Sequence, residues 1–280
     1  MSPIQAILLG LVQGLTEFLP VSSSGHLMIF RDVLGVDTEG FLGFTVTVHL
    51  ATVLATLVVF RGEVWALIRG FLKLSYNDET DYVLKILVSV IPVGIVGLLF
   101  KDALEALFAD SLFTVAIFLV ITAMLLYFSD QFKFRRGKRT EEMVAAEEGN
   151  RYRNGISYWQ AFVVGIGQAF AVFPGLSRSG TTISFGLISG VRRSVMAQFS
   201  FLMVLIPVIG EQLLDVVDCI AGDAAFTSGI GAGPLLLAFL AAFISGLFAC
   251  KAMVAIVRRS KLTWFAIYCL VVALAIFLFI

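Results

Sequence analysis

One short stretch of the chain reads Gln13-Gly-Leu-Thr-Glu17-Phe-Leu-Pro20-Val-Ser22-Ser23-Ser24-Gly25-His26, and another reads Pro174-Gly175-Leu176-Ser177-Arg178-Ser179-Gly180-Thr181-Thr182. Together they hold an acid, a run of hydroxyls, an imidazole and a guanidinium. Gln13 and Glu17 are four apart, so a helix puts them on one face. In both stretches serines precede a second apolar segment, where they can cap a helix and leave backbone N–H groups pointing into the loop. Two such helix N-termini brought together make an anion site, and phosphate is its common occupant. Ser22, Ser24, Gly25, Ser177, Ser179, Gly180, Thr181 and Thr182 are the candidate groups for holding it, with Gln13 beside them. Arg178 adds a full charge and a planar fork that matches phosphate oxygens. Glu17 and His26 go beyond anion binding. A carboxylate beside a phosphate is repulsive unless a cation stands between them, so Glu17 is the candidate ligand for a divalent metal. The residues leave three attacking groups open: Ser23 with His26 moving its proton, His26 itself, or water.

The elements that must carry these groups are apolar. Hydrophobic residues make up 59% of the 280, and charged residues only 14%. Six stretches are long enough to span roughly 30 Å of hydrocarbon: 41–60, 83–100, 111–129, 195–218, 233–257 and 262–280. The two chemical stretches fall in apolar segments of another kind, 3–35 and 156–191, each broken near the middle by Pro, Gly and Ser. Their halves are too short to cross, which predicts helix–loop–helix hairpins that re-enter on the side they came from. Irregular backbone at that depth is tolerated only where protein or a wet cavity surrounds it.

Residues 10–44 recur at 165–199. At a constant offset of 155 the pairs Gly10/Gly165, Gln13/Gln168, Phe18/Phe173, Ser22/Ser177, Ser24/Ser179, Gly25/Gly180, Phe30/Phe185, Gly35/Gly190, Val36/Val191 and Phe44/Phe199 are identical. The expected architecture is therefore an all-α integral membrane protein, a single membrane domain over 1–280. It comprises six transmembrane helices and two re-entrant hairpins in two inverted repeats: 1–130, a cytoplasmic linker at 131–154, then 155–280. Three spans per half invert the second half, so the two loops enter from opposite faces and meet near the midplane. The scaffold repeats but the chemistry does not. Val172 stands for Glu17, Arg178 for Ser23, and Thr181 for His26.

Charge supplies the orientation. With Arg178 set aside, one face carries only Arg31 and Lys101, and the other carries the remaining Lys and Arg. By the positive-inside rule the rich face is cytoplasmic, so both termini and the first hairpin's mouth face outward. Residues 61–73, with Trp65, Ile68 and Leu72 set against Arg61, Arg69 and Lys73, read as an interfacial helix. The net charge of zero suggests no nucleic-acid partner. Cys219, Cys250 and Cys269 lack metal or disulfide spacing. His49, alone in its span, reads as structural, and Asp215, one turn from Glu211, reads as lying near the outer surface.

The two motifs, with the Phe-Ser-Phe run at 199–201, closely resemble those of the bacterial undecaprenyl-diphosphate phosphatases of the bacitracin-resistance type, and the resemblance covers essentially the whole chain. It implies a cell-membrane enzyme that removes the terminal phosphate from a C55 polyprenyl diphosphate on the outward side, with a divalent cation such as Mg or Ca. Its catalytic groups fall on Glu17, Ser23, His26, Ser177, Arg178 and Thr182. Some members carry a second acid where this chain has Gln13. The expected partners are the polyprenyl diphosphate and membrane lipid, with homodimerisation left open. Inverted repeats with broken helices also suit a polyprenyl-phosphate flippase; the Glu17/His26 asymmetry favours catalysis.

Overall fold

The computed structural model describes residues 1–37, 41–107, 111–136, 155–221, 230–259 and 261–279. Every regular element among them is helical: α1 (Pro3–Thr16), α2 (Ser23–Val33), α3 (Phe41–Val59), α4 (Arg61–Phe71), α5 (Asp78–Leu107), α6 (Leu112–Arg136), α7 (Tyr158–Phe170), α8 (Arg178–Ile188), α9 (Arg193–Ala221), α10 (Ala232–Arg259) and α11 (Thr263–Phe279).

Local chemistry sets the ends of the two broken segments, and it does so twice. α1 opens at a capping box formed by Ser2 and Gln5, and α7 opens at the same box formed by Ser157 and Gln160. Each box satisfies two N–H groups that the first turn of a helix leaves without partners. Each box glutamine also reaches the far end of the following helix. Gln5 donates to the Leu34 carbonyl at 2.9 Å, and Gln160 donates to the Ser189 carbonyl at 3.2 Å. α2 and α8 therefore return to where α1 and α7 began, so both pairs are hairpins. Each hairpin ends on a glycine in the left-handed region, Gly35 (φ 61°) and Gly190 (φ 97°). The next N–H then folds back: Val36 donates to the Arg31 carbonyl and Val191 to that of Gly186. Glycine is the residue that adopts this helix stop without a Cβ penalty. At about 1.5 Å per residue, no helix of these pairs reaches the roughly 30 Å of a bilayer core.

Among the described residues, four helices contain stretches long and apolar enough to cross a membrane: Asp78–Gly97, Leu112–Gln131, Arg193–Gly210 and Ala232–Val257. The other two expected spans differ. The stretch expected at 41–60 is α3, which passes that test only together with α4, and the two helices meet at a 77° bend. The break falls at Phe60, where Arg61 turns back to donate to the Val58 carbonyl. α4 leaves Trp65, Ile68 and Phe71 exposed, as an interfacial helix does. α11 is apolar throughout but only 17 residues long. α6 runs on to Arg136, so the linker expected from residue 131 begins as helix. Residues 137–154, which carry the rest of that linker, and the side chains of Glu211, Asp215 and Cys219 lie outside the described residues.

Packing interleaves the two halves. The first helix of each hairpin lies against a helix of the other half, α1 on α10 and α7 on α5. Glycine permits both approaches. A Cβ at Gly10 would collide with the Ala238 backbone, and one at Gly165 with the Ser89 backbone. α6 packs against α11, α8 and α2, and so braces both hairpins. Phe18 in the first loop and Phe201 on α9, in edge-to-face contact at 5.8 Å, anchor that loop in the main core.

These contacts predict that Gly10→Leu and Gly165→Leu each destabilise the protein by about 1–3 kcal/mol, the usual cost of overpacking. Thermal unfolding in detergent should show a clear fall in Tm for both. Gly94→Ala, which meets nothing within 4 Å, should shift Tm far less. Equal Tm values for all three would contradict the interleaved packing.

Candidate active site

The turn between α1 and α2 places Glu17 at the end of α1, where it caps the helix through its own N–H to the Gln13 carbonyl. Its Oε2 is the centre of a polar cluster. Gln13 donates an amide hydrogen to it at 2.9 Å, and the Ser23 hydroxyl donates at 2.6 Å. The i, i+4 spacing read in the sequence supplies the first contact, and the turn supplies the second. Glu17, Arg178 and Ser179 line one cleft, together with Phe18, Thr52, Thr56 and Ser200. Acid and guanidinium, far apart in the chain, are thus brought to one place.

The serines behave first as caps, identically in both hairpins. The Ser22 hydroxyl accepts from the Gly25 N–H at 3.2 Å, and the Ser177 hydroxyl from the Gly180 N–H at 3.1 Å. These two N–H groups are committed to the helix ends. Ser24 and Ser179 each lie beside their cap, at 3.4 and 3.3 Å. Both glycines are tightly enclosed. A Cβ on Gly25 would press on Val115, and one on Gly180 on Ser177 and Thr122. The Ser179 hydroxyl also crosses to the other hairpin and donates to the Leu19 carbonyl at 3.0 Å. The Ser177 N–H donates to the Thr122 hydroxyl, which ties the second loop to α6.

Other expected groups are turned away from the cleft. Thr181 donates to the Ser177 carbonyl at 2.5 Å, and Thr182 bonds the Arg178 carbonyl and the Ser200 hydroxyl at 2.8 and 2.7 Å. Both are fully buried and brace the first turn of α8, the turn that carries Arg178. His26 is 3% exposed and does not line the cleft. Its Nδ1 lies 2.8 Å from the Ser22 carbonyl, and its Nε2 lies 2.8 Å from the Tyr268 hydroxyl. A carbonyl only accepts, so Nδ1 carries the hydrogen and Nε2 accepts from the tyrosine. Ser22 has φ 70°, a strained conformation for a residue with a side chain. The imidazole holds that strained turn, which in turn aims Ser23 at Glu17.

Sequence reasoning read His49 as structural, yet it faces the site. Its Nε2 stands 3.7 Å from Glu17 Oε2. A signal was available, because an ionisable group at membrane depth is functional by default. Thr52 and Thr56 follow His49 on the same face of α3. Tyr268 carried no sequence signal.

For a divalent cation the donor set is sparse. No group of three or more His, Cys, Asp or Glu able to hold a metal occurs among the described residues. Such a set does not form an all-protein cage, but it fits a hard cation bound by a carboxylate and by substrate oxygens, the usual arrangement for Mg²⁺. The Gln13 Oε1 is buried without a hydrogen-bond partner, a further oxygen in the same cluster.

Fold and site define a multi-pass membrane protein, all-helical among the described residues, whose cleft is lined by Glu17 and Arg178. The chain belongs to the family of the bacitracin resistance protein BacA, whose pattern matches residues 6–275. It is 47% identical to the undecaprenyl-diphosphatase of Bacteroides thetaiotaomicron, over 99% of this chain and 98% of that one. It is 45% identical to the undecaprenyl-diphosphatase of Christiangramia forsetii, over 100% and 98%. The archaeal undecaprenyl-diphosphatase of Methanobrevibacter smithii is 36% identical over 99% and 98%.

The hydrogen bond from Ser179 to Leu19 is the direct polar tie between the two loops among the described residues. Ser179→Ala should lower stability by about 0.5–1.5 kcal/mol, the net worth of such a bond. It should also raise KM for a diphosphate substrate, since Ser179 lines the cleft. Unfolding in detergent and phosphate-release kinetics read the two effects. Unchanged values in both would remove Ser179 from the site.

Proposed function

We infer that this protein hydrolyses undecaprenyl diphosphate to undecaprenyl phosphate and inorganic phosphate, which recycles the lipid carrier of cell-wall synthesis. One observation carries the reading: the Ser23 hydroxyl donates to Glu17 at the edge of a cleft that Arg178 also lines. A hydroxyl held by a carboxylate beside a guanidinium is the constellation for attack on phosphorus. The near-full-length likeness to undecaprenyl-diphosphatases supplies the substrate class. A flippase would need the anion site but not the acid–hydroxyl pair.

The reading for the chemistry follows from these positions. Arg178 binds the diphosphate and stabilises charge that develops on the transferring phosphoryl group. Glu17 takes the proton of Ser23 as its oxygen attacks the terminal phosphorus. The anhydride P–O bond breaks, and the lipid monophosphate leaves as an anion. Water then attacks the phosphoserine phosphorus, the Oγ–P bond breaks, phosphate leaves as H2PO4⁻ with both hydrogens of the water, and Glu17 returns its proton to Ser23. His26 serves as a positioning residue through Ser22, which departs from a role as proton shuttle or nucleophile. Glu17 would hold a divalent cation, Mg or Ca, which when bound would offset the charge of the diphosphate.

The reading for topology has six spans and two re-entrant hairpins in inverted repeats, with both termini outside. It is supported by the hairpins that close at Gln5–Leu34 and Gln160–Ser189 and by the exchanged packing of α1 and α7. The concentration of Lys and Arg on one face supports the orientation. The Glu17 hairpin then opens outward, and the apolar helix faces hold the lipid tail.

Two outcomes are expected. Ser23→Ala should lower phosphate release from undecaprenyl diphosphate by on the order of a hundredfold or more, and Arg178→Lys should lose most activity because a point charge cannot reproduce the bidentate fork. Acid-quenched wild-type enzyme should yield acid-stable phosphoserine; acid-labile phosphohistidine would instead assign attack to His26. For topology, single cysteines at positions 2 and 145 on a cysteine-free background are to be probed in intact cells with an impermeant thiol reagent. Label at position 2 alone is expected, and label at 145 alone would invert the orientation.

A further inference from the structure

His49 is the one titratable group beside Glu17 that the reading above leaves without a task. Its geometry is specific. Nδ1 lies 2.9 Å from the Thr45 carbonyl one turn back in α3. Because a carbonyl only accepts, a hydrogen sits on Nδ1, and in its neutral form the ring presents an Nε2 lone pair. That lone pair faces Glu17 Oε2 at 3.7 Å, beyond hydrogen-bond range. Oε2 already accepts from Gln13 and Ser23. A second lone pair is close at hand, since Gln13 Oε1 is buried without a hydrogen-bond partner. The imidazole nitrogen thus faces the carboxylate with no hydrogen bond between them, while Arg178 lines the same cleft as the acid.

We propose that His49 is a nitrogen ligand, through Nε2, for the divalent ion that Glu17 holds against the diphosphate. This rests on the phosphatase reading and deepens it. Three features agree. A ligating histidine almost always donates its other ring N–H to a carbonyl or carboxylate, as Nδ1 does to Thr45. Two donors at about 2.1 Å from one ion stand about 3.0 Å apart in an octahedron and about 3.4 Å in a tetrahedron. The observed 3.7 Å is wider than either by less than an ångström, a small closure for two side chains that are each only 14% exposed. His26 offers no such atom, because both its nitrogens are engaged. The consequence is selectivity: an imidazole suits Mn²⁺ and later transition ions better than Ca²⁺, which prefers oxygen.

The chain has only two histidines, which makes the test unambiguous. Purified full-length protein in detergent is loaded with Mn²⁺ and inorganic pyrophosphate, and pulsed EPR reads nitrogen coupled to the manganese. Wild type should show one imidazole nitrogen. His49→Gln and His49→Asn should both lose it, bind Mn²⁺ on the order of tenfold more weakly, and lose any preference for Mn²⁺ over Ca²⁺. His26→Gln should keep the coupling. Bound Mn²⁺ without nitrogen coupling in wild type, or coupling that survives in the His49 variants, would make His49 an ion-pair partner of Glu17 only. Phosphate release by the wild-type enzyme is measured in parallel. Release without nitrogen coupling overturns this proposal alone, and no release from undecaprenyl diphosphate overturns the phosphatase reading.

Discussion

A carboxylate set among apolar helices is the constraint around which the rest of this molecule is arranged. Burying an ionised acid costs several kcal/mol unless partners replace its water. Glu17 has such partners from four elements: Gln13 on α1, Ser23 on α2, His49 on α3, and Arg178 at the start of α8 across the cleft. Each partner has to be carried to the same depth. That requirement explains why α1 stops at Thr16, why α2 begins at Ser23, and why the second hairpin lies against the first. A site made this way is preorganised, because the groups that solvate the acid are also those that would meet a phosphate.

The two hairpins show one backbone used for two chemistries. Capping box, helix-end glycine, serine cap and the glutamine bridge across each mouth recur at an offset of 155 residues. None of these features depends on the residues that differ. With Val172 for Glu17, Arg178 for Ser23 and Thr181 for His26 the caps and the mouth survive, while the turn itself changes: the capping serine has φ 70° in the first hairpin, where His26 holds it, and φ −68° in the second. The first hairpin presents acid and hydroxyl, and the second presents the cation. A strictly symmetric pair would have set two acids, or two guanidiniums, against each other in a small cleft.

Much of this was legible because it is local. A helix cap is decided within about four residues, and a glycine stop within about six, so the breaks in segments 3–35 and 156–191 could be read directly. The Gln13–Glu17 pairing follows from helical period alone. The bend after α3 was legible in outline, since 41–60 read as a span and 61–73 as an interfacial helix. Its angle of 77° and its place at Phe60 and Arg61 came only with the structure.

The residues by themselves determined that the chain is a membrane protein and that it carries two polar loops at equivalent places, and they singled out acid, serine and arginine as the candidate chemical groups. Tertiary structure alone decided which of those groups meet. His49 reaches Glu17, and Tyr268 takes the second nitrogen of His26 across 242 residues of sequence. Thr181 and Thr182 turn inward to brace α8 rather than outward to a ligand. The reason is that a helix fixes where a side chain points only relative to its own axis. Which neighbour it then meets depends on how helices from both halves pack, and here that rests on glycines that let α1 approach the α10 backbone and α7 that of α5.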